Sequence, residues 1–320
     1  MKKIIFLLFG AVLFLSACTR PDVKTGYVNV PTVTQHALSG VYTLLEPTSP
    51  TINLYYEECG KGEPLILLHD QAIDCHMWDK VFFELAKNFR VIRYDLRGYG
   101  KSGNPESGYG YLHADDLKNF MDAMGIKKAH FAGLSLGGMT LTEFMAMYPE
   151  RVLTATISSG ALNEYPNRNA MPKNILKMYN DTVYTLNKEK VAGIDRHGFE
   201  AEKNDWKAMM RSISGQHYRV ISDDLNKMID DWKGWQLLNA DTDAFMGSNA
   251  DSLLTHQKKQ PRILLLIGQH DAVASKKSMQ RMAALCPNAK IQLMFDAGHF
   301  TCMEYPDEFV EKMLTFIREK

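Results

Sequence analysis

The chain has 320 residues, 45% hydrophobic and 23% charged, the balance of a packed protein and not of a disordered one. Thirty-seven Lys and Arg offset thirty-seven Asp and Glu, so no net field draws nucleic acid or an anionic surface. Four tryptophans and fourteen tyrosines exclude a low-complexity or fibrous chain.

Only one stretch is apolar enough to meet a membrane, and it lies at the N-terminus. Lys2 and Lys3 precede twelve apolar residues, Ile4 to Leu15, the order of a secretory signal. As a helix that run would extend about 18 Å, short of the ~30 Å hydrocarbon core. It ends in Leu15-Ser16-Ala17-Cys18, which resembles the lipobox of bacterial lipoproteins. The resemblance implies diacylglycerol on the Cys18 thiol, cleavage before Cys18, and attachment of the mature chain to a lipid bilayer of the cell envelope. Thr19, where an inner-membrane retention signal would have aspartate, points to the outer membrane. Residues 1–17 are thus expected to be a signal peptide and 18–40 a tether.

Beyond the tether, Val41–Leu45 and Ile52–Glu58 read as strands around Pro47 and Pro50. Further strands are expected at Leu65–His69, Arg90–Asp95, Ala129–Leu134, Leu153–Ser158, Ile263–Gly268 and Ile291–Phe295. They are apolar on both alternating faces, as strands between two helical layers should be. Helical spacing marks Met77–Asn88, Leu112–Met124, Leu136–Tyr148, Lys276–Leu285 and Pro306–Arg318, the last opening on a proline that suits a first turn. The alternation predicts an α/β fold, a doubly wound and mainly parallel sheet with helices on both faces. Residues 161–255 interrupt it with helical spacing, three tryptophans (Trp206, Trp232, Trp235) and several methionines, including Met171, Met178 and Met246. This is expected to be a helical cap inserted between core segments 41–160 and 256–320. Its Trp206 and Trp232 could line a pocket, although packing of the insertion onto the core would use such residues equally.

Four cysteines follow Cys18. Cys286 and Cys302 flank one predicted strand and form the readiest pair in an oxidising compartment, yet Cys59, Cys75, Cys286 and Cys302 also suit small packed hydrophobes. No Cys-x-x-Cys or His-rich cluster calls for zinc, and no cofactor is expected.

The chemistry centres on Gly133-Leu134-Ser135-Leu136-Gly137, followed by Gly138. Gly-x-Ser-x-Gly alone is weak, but here it joins a predicted strand to a predicted helix, the setting of a nucleophile elbow. The turn lifts the Ser135 hydroxyl from the sheet and places the Leu136 N–H at a helix N-terminus, aimed at a forming oxyanion. Serine needs a base. His299, in Asp296-Ala297-Gly298-His299, combines a glycine turn with the C-terminal end of a strand, where ligands gather in open α/β sheets. Asp271, in the loop after the preceding strand, would orient it; Asp241, Asp243 and Asp251 are rivals that follow no convincing strand.

With Leu67-Leu68-His69-Asp70, Tyr94-Asp-Leu-Arg-Gly-Tyr-Gly-Lys-Ser102, the elbow, Asp271 and Ala297-Gly298-His299 in order, the chain resembles the α/β-hydrolase fold, lid-bearing branch, from about residue 41 to 320. That resemblance implies eight strands, Gln71 as the second oxyanion N–H beside Leu136, and His69 as a shaper of the oxyanion loop. The segment Gly133–Thr140 is similar to 3-oxoadipate enol-lactonases, and esterases share the whole motif set. The expected activity is hydrolysis of a small carboxylic ester or lactone through an acyl-enzyme. Carbon–carbon-bond hydrolases and cofactor-free peroxidases share these motifs too, and a non-catalytic ligand-binding member would retain the fold. One residue departs from the pattern: Asp70 stands where the family has glycine. Aspartate tolerates left-handed backbone better than most residues, but it also brings a carboxylate to the oxyanion loop. Together with His69, Trp206 and Trp232, it is expected to face substrate.

Overall fold

The computed structural model describes residues 22–31, 51–104, 111–162, 194, 196–234 and 250–319. Eight strands form one sheet in the order β1-β2-β4-β3-β5-β6-β7-β8. They are β1 (Lys24–Pro31), β2 (Thr51–Cys59), β3 (Pro64–Leu68), β4 (Arg90–Tyr94), β5 (Ala129–Leu134), β6 (Val152–Ser158), β7 (Arg262–Gly268) and β8 (Lys290–Met294). The β1/β2 and β2/β4 pairs are antiparallel and all later pairs are parallel. The predicted strands from Ile52 onward are all present, shifted by at most a residue or two at their ends.

The expected tether is where the structure departs first. Residues 24–31 form β1, pairing over their whole length with β2. Val28 sits opposite Leu54 and Val30 opposite Ile52, all four buried. An edge strand needs only one apolar face, so Gly26, Asn29 and Pro31 are tolerated on it, and the weak hydrophobic signal conceals the strand. The expected strand Val41–Leu45 lies outside the described residues, as do residues 1–21 with Cys18.

In the middle of the sheet β3, β5 and β6 are buried on nearly every residue. Helix α1 (Asp79–Leu85, after a 3-10 turn over Cys75–Trp78), α2 (His113–Ala123), α3 (Leu136–Met147), α7 (Val273–Leu285) and α9 (Pro306–Arg318) match the predicted helices. The far edge differs from expectation. On β8 and just beyond it Ile291, Leu293 and Phe295 are 54%, 40% and 66% exposed, because an outer strand has a neighbour on one side only.

Within the insertion, α4 (Phe199–Ile213) and α5 (Tyr218–Asp231) pack on each other, and no strand occurs among its described residues. Helix α6 (Ala250–His256) instead packs on α3 and α7, and the next residue, Gln257, donates to the Met145 and Ala146 carbonyls. Cys59, Cys75, Cys286 and Cys302 are buried and free, so the Cys286–Cys302 pair is not formed. Among the described residues no helix is long and apolar enough to cross a membrane.

Candidate active site

Every residue of β5 is buried, and the chain turns sharply at its end. A Cβ at Gly133 would stand 2.4 Å from the Gly137 carbonyl oxygen, and one at Gly137 would stand 2.2 Å from the Leu68 oxygen. Only glycine allows α3 to begin this close to β5 and β3. Ser135 takes up the turn with φ 53° and ψ −111°, a strained conformation costing about 1–3 kcal/mol. It is held on both sides: the Ser135 N–H donates to Ser158 O at 2.9 Å, and its carbonyl accepts from Met139 N–H at 2.9 Å.

His299 follows β8, and Asp271 follows β7. The His299 Nδ1–H donates to Asp271 Oδ1 at 2.7 Å, an oxygen that also accepts from Ala272 N–H at 2.7 Å. Among the described residues Asp271 Oδ2 has no hydrogen-bond partner, and the carboxylate meets the imidazole through Oδ1. The rival Asp251 lies on α6 and pairs with Arg281 at the surface; Asp241 and Asp243 lie outside the described residues.

The histidine loop is pinned by residues the sequence reading did not single out. Ser159 Oγ donates to the His299 carbonyl at 2.5 Å, and the His299 N–H donates to Ile213 O, the last residue of α4, at 2.9 Å. Glu304, buried at the end of α8 (Thr301–Glu304), accepts from Gly298 N–H at 2.8 Å and Gly215 N–H at 2.9 Å through Oε2, and from Phe300 N–H at 2.9 Å through Oε1. One carboxylate thus ties both sides of His299 to the cap. A glutamate five residues past a histidine carries no periodic signal, so only the fold reveals it.

On the neighbouring strand, the loop after β3 carries the carboxylate expected at Asp70, but the left-handed backbone expected there falls two residues later, at Ala72 with φ 61°. His69 donates from Nδ1 to Asp70 O at 2.6 Å and accepts from Leu96 N–H at Nε2 at 2.8 Å. Both ring nitrogens are thereby spent on backbone: His69 braces the loop and is not a pocket wall. The 94–102 motif supplies the rest of the brace, with Asp95 accepting from Cys75 N–H at 2.9 Å and Lys101 N–H at 2.8 Å. Trp206 and Trp232 stand edge-to-face at 5.5 Å, with Phe199 beside Trp232 at 5.7 Å; these rings pack α4 on α5.

Asp70 Oδ1 accepts from Gln71 N–H at 2.7 Å and from Leu136 N–H at 3.2 Å. Its other oxygen lies 3.2 Å from His299 Nε2. The two amides singled out from the sequence therefore converge on a single oxygen, and that oxygen belongs to the protein. Burial alone would lower the His299 pKa, but its hydrogen bonds to Asp271 and Asp70, with their charges, reverse this and push it up to about 10. In this state His299 is an imidazolium between two carboxylates.

Asp74, Cys75 and His76 are the one group of metal-ligand types found close together among the described residues, within 4.8 Å. Burial pushes the Cys75 thiol well up, and hydrogen bonds to Asp74 and Glu57 raise His76 to about 10.

The alpha/beta hydrolase fold family model matches residues 63–306. A pimeloyl-acyl-carrier protein methyl ester esterase of Aliivibrio fischeri (strain MJ11) is 24% identical over 274 residues, covering 84% of this chain and 99% of that protein. A thermophilic esterase from Thermogutta terrifontis superposes with a TM-score of 0.66 at 24% identity, covering 89% of this chain and 98% of its own. The enol-lactonase from Burkholderia xenovorans LB400 does so with 0.65 at 20% identity, covering 89% and 100%. With a matched family model over most of its length, an eight-stranded sheet of this order and a strained serine at the turn from β5 into α3, the chain belongs to the alpha/beta hydrolase fold family.

Proposed function

We propose that the protein is a serine hydrolase that cleaves a small carboxylic ester or lactone through an acyl-enzyme. The observation that carries this reading is the convergence of the Gln71 and Leu136 amides on one oxygen position beside His299. Two N–H donors aimed at one point stabilise the oxyanion that forms when a hydroxyl adds to a carbonyl. In this reading the substrate's carbonyl oxygen replaces the Asp70 carboxylate between those amides. His299, no longer held by Asp70, loses its Nε2 proton to solvent water and then serves as base to Ser135. The hydroxyl oxygen of Ser135 attacks the carbonyl carbon while its proton passes to Nε2, and Asp271 steadies the resulting imidazolium. Collapse of the tetrahedral intermediate expels the alcohol, which takes that proton. Water then repeats the sequence on the acyl-enzyme and releases the acid.

Ser135→Ala tests the assignment. Hydrolysis of a short-chain aryl ester should fall by about 10⁵–10⁶-fold while thermal unfolding stays near that of the parent. A variant that keeps a tenth of the activity removes Ser135 from the nucleophile's role.

The envelope attachment belongs to the same proposal and rests on Leu15-Ser16-Ala17-Cys18 alone. Acyl chains on Cys18 would hold the hydrolase at a bilayer, since each buried CH₂ contributes about 0.8 kcal/mol. Cys18→Ser should abolish metabolic fatty-acid labelling without lowering hydrolysis; equal labelling of both proteins overturns the anchor.

A further inference from the structure

Asp70 is the charged group at this site that the hydrolytic sequence does not use. Its Oδ1 fills the position of the substrate's carbonyl oxygen, held by Gln71 N–H at 2.7 Å and Leu136 N–H at 3.2 Å, and its Oδ2 takes the His299 Nε2 hydrogen bond at 3.2 Å. A substrate must displace it. The displaced carboxylate cannot travel far, for the carboxyl carbon lies one bond beyond Cβ and the Gln71 amide is the next peptide along the chain. Rotation about χ1 shifts the charge by a few ångströms and leaves it beside the scissile bond. Asp70 and His299 are 2% and 5% exposed, so water screens that charge poorly.

We propose that Asp70 sets the substrate class: the site takes uncharged carbonyl compounds, or those with a cationic or hydrogen-bond-donating group beside the scissile bond, and rejects those bearing a carboxylate there. The inference rests on the reading of Ser135 as nucleophile. The physical reason is that a second anion brought beside Asp70 meets like charge in a buried setting, whereas a cation or donor finds an acceptor already in place. The high proton affinity of His299 is consistent with this, since the pocket rim already stabilises positive charge. Asp70 has two separable effects, occupancy and charge. Asparagine keeps a side chain of the same shape without the charge, and glycine removes both.

The test measures kcat/KM for three phenyl acetates of matched size, with no ring charge, a meta-carboxylate or a meta-trimethylammonium group, each corrected for its hydroxide rate. Wild type, Asp70→Asn and Asp70→Gly are compared, with labelling by an uncharged fluorophosphonate to report a reactive serine independently of the ester. Wild type should favour the uncharged over the carboxylate ester by at least about tenfold, and Asp70→Asn should bring the ratio to within about twofold. Asp70→Gly should do the same and raise kcat/KM for the uncharged ester, its oxyanion position being open. A ratio that is the same in all three labelled proteins overturns the inference and leaves the hydrolase reading standing. No labelling and no turnover in any of them overturns both. Where thermal unfolding shows that one variant has not folded, the other decides.

Discussion

Two loops leave adjacent parallel strands, β3 and β5, and meet the same reacting point by different means. The elbow after β5 is a backbone device: glycines at 133 and 137 admit contacts no Cβ would allow, and Ser135 absorbs the strain. The loop after β3 keeps its backbone shape through His69 and the 94–102 turn, yet carries a carboxylate into the space between two amides. In one loop the steric requirement rules out substitution, and in the other it leaves room for one.

After Ser135→Ala, the largest expected break comes from Asp271→Asn. The amide can favour the wrong His299 tautomer and supplies no charge to an imidazolium, so kcat should drop by about 10⁴-fold with unfolding little changed. A loss under tenfold moves the orienting acid elsewhere. Gly137→Ala strikes where the two loops touch, setting a Cβ against the Leu68 carbonyl at the end of β3. It should cost about 3 kcal/mol, measured by denaturant unfolding, and spread the Leu136 and Gln71 amides apart. Glu304→Gln leaves one side-chain oxygen for three N–H groups. About 1–3 kcal/mol of stability should go with it, and kcat should fall more than KM rises, because the histidine loop and not the substrate is loosened.

The comparison is sharpened by pH. The profile of kcat/KM reports groups of the free enzyme, and His299 can act as base only above its raised value of about 10. Activity on an uncharged ester should thus climb as pH rises toward 10. Asp70→Asn removes one of the two carboxylates hydrogen-bonded to the ring, leaving Asp271 in contact and Glu304 within electrostatic reach, so the midpoint should move down by about one unit or more. An unmoved midpoint would show that Asp70 does not hold the His299 proton. Asp251→Asn should do least. It removes a surface pair with Arg281, worth at most about 1 kcal/mol, and its turnover should match the parent's.

The elements most legible in the sequence were those with strong local signals. The parallel strands are runs of branched apolar residues, and the Gly133–Gly138 turn announces itself because steric exclusion leaves glycine alone at its close contacts. The edges were harder to read. Strand β1 has only Val28 and Val30 facing inward and gains its place from pairing with β2, while Trp206 and Trp232, which invited a pocket, pack two cap helices together.

By itself the sequence determined the strands from Ile52 onward, the helices alternating with them, the elbow, and the loop positions of Asp271 and His299, since each is written in local periodicity or in a turn that few residues can make. Only the tertiary structure decided what those residues touch. Asp70 is 65 residues from Ser135 and 229 from His299 in the chain, and Glu304 meets Gly215 across 89. Contacts closed over such distances depend on how strands line up in the sheet, which no local pattern encodes. The carboxylate seen in the sequence as an odd residue in a turn became, once the sheet was assembled, the occupant of the space between the Gln71 and Leu136 amides.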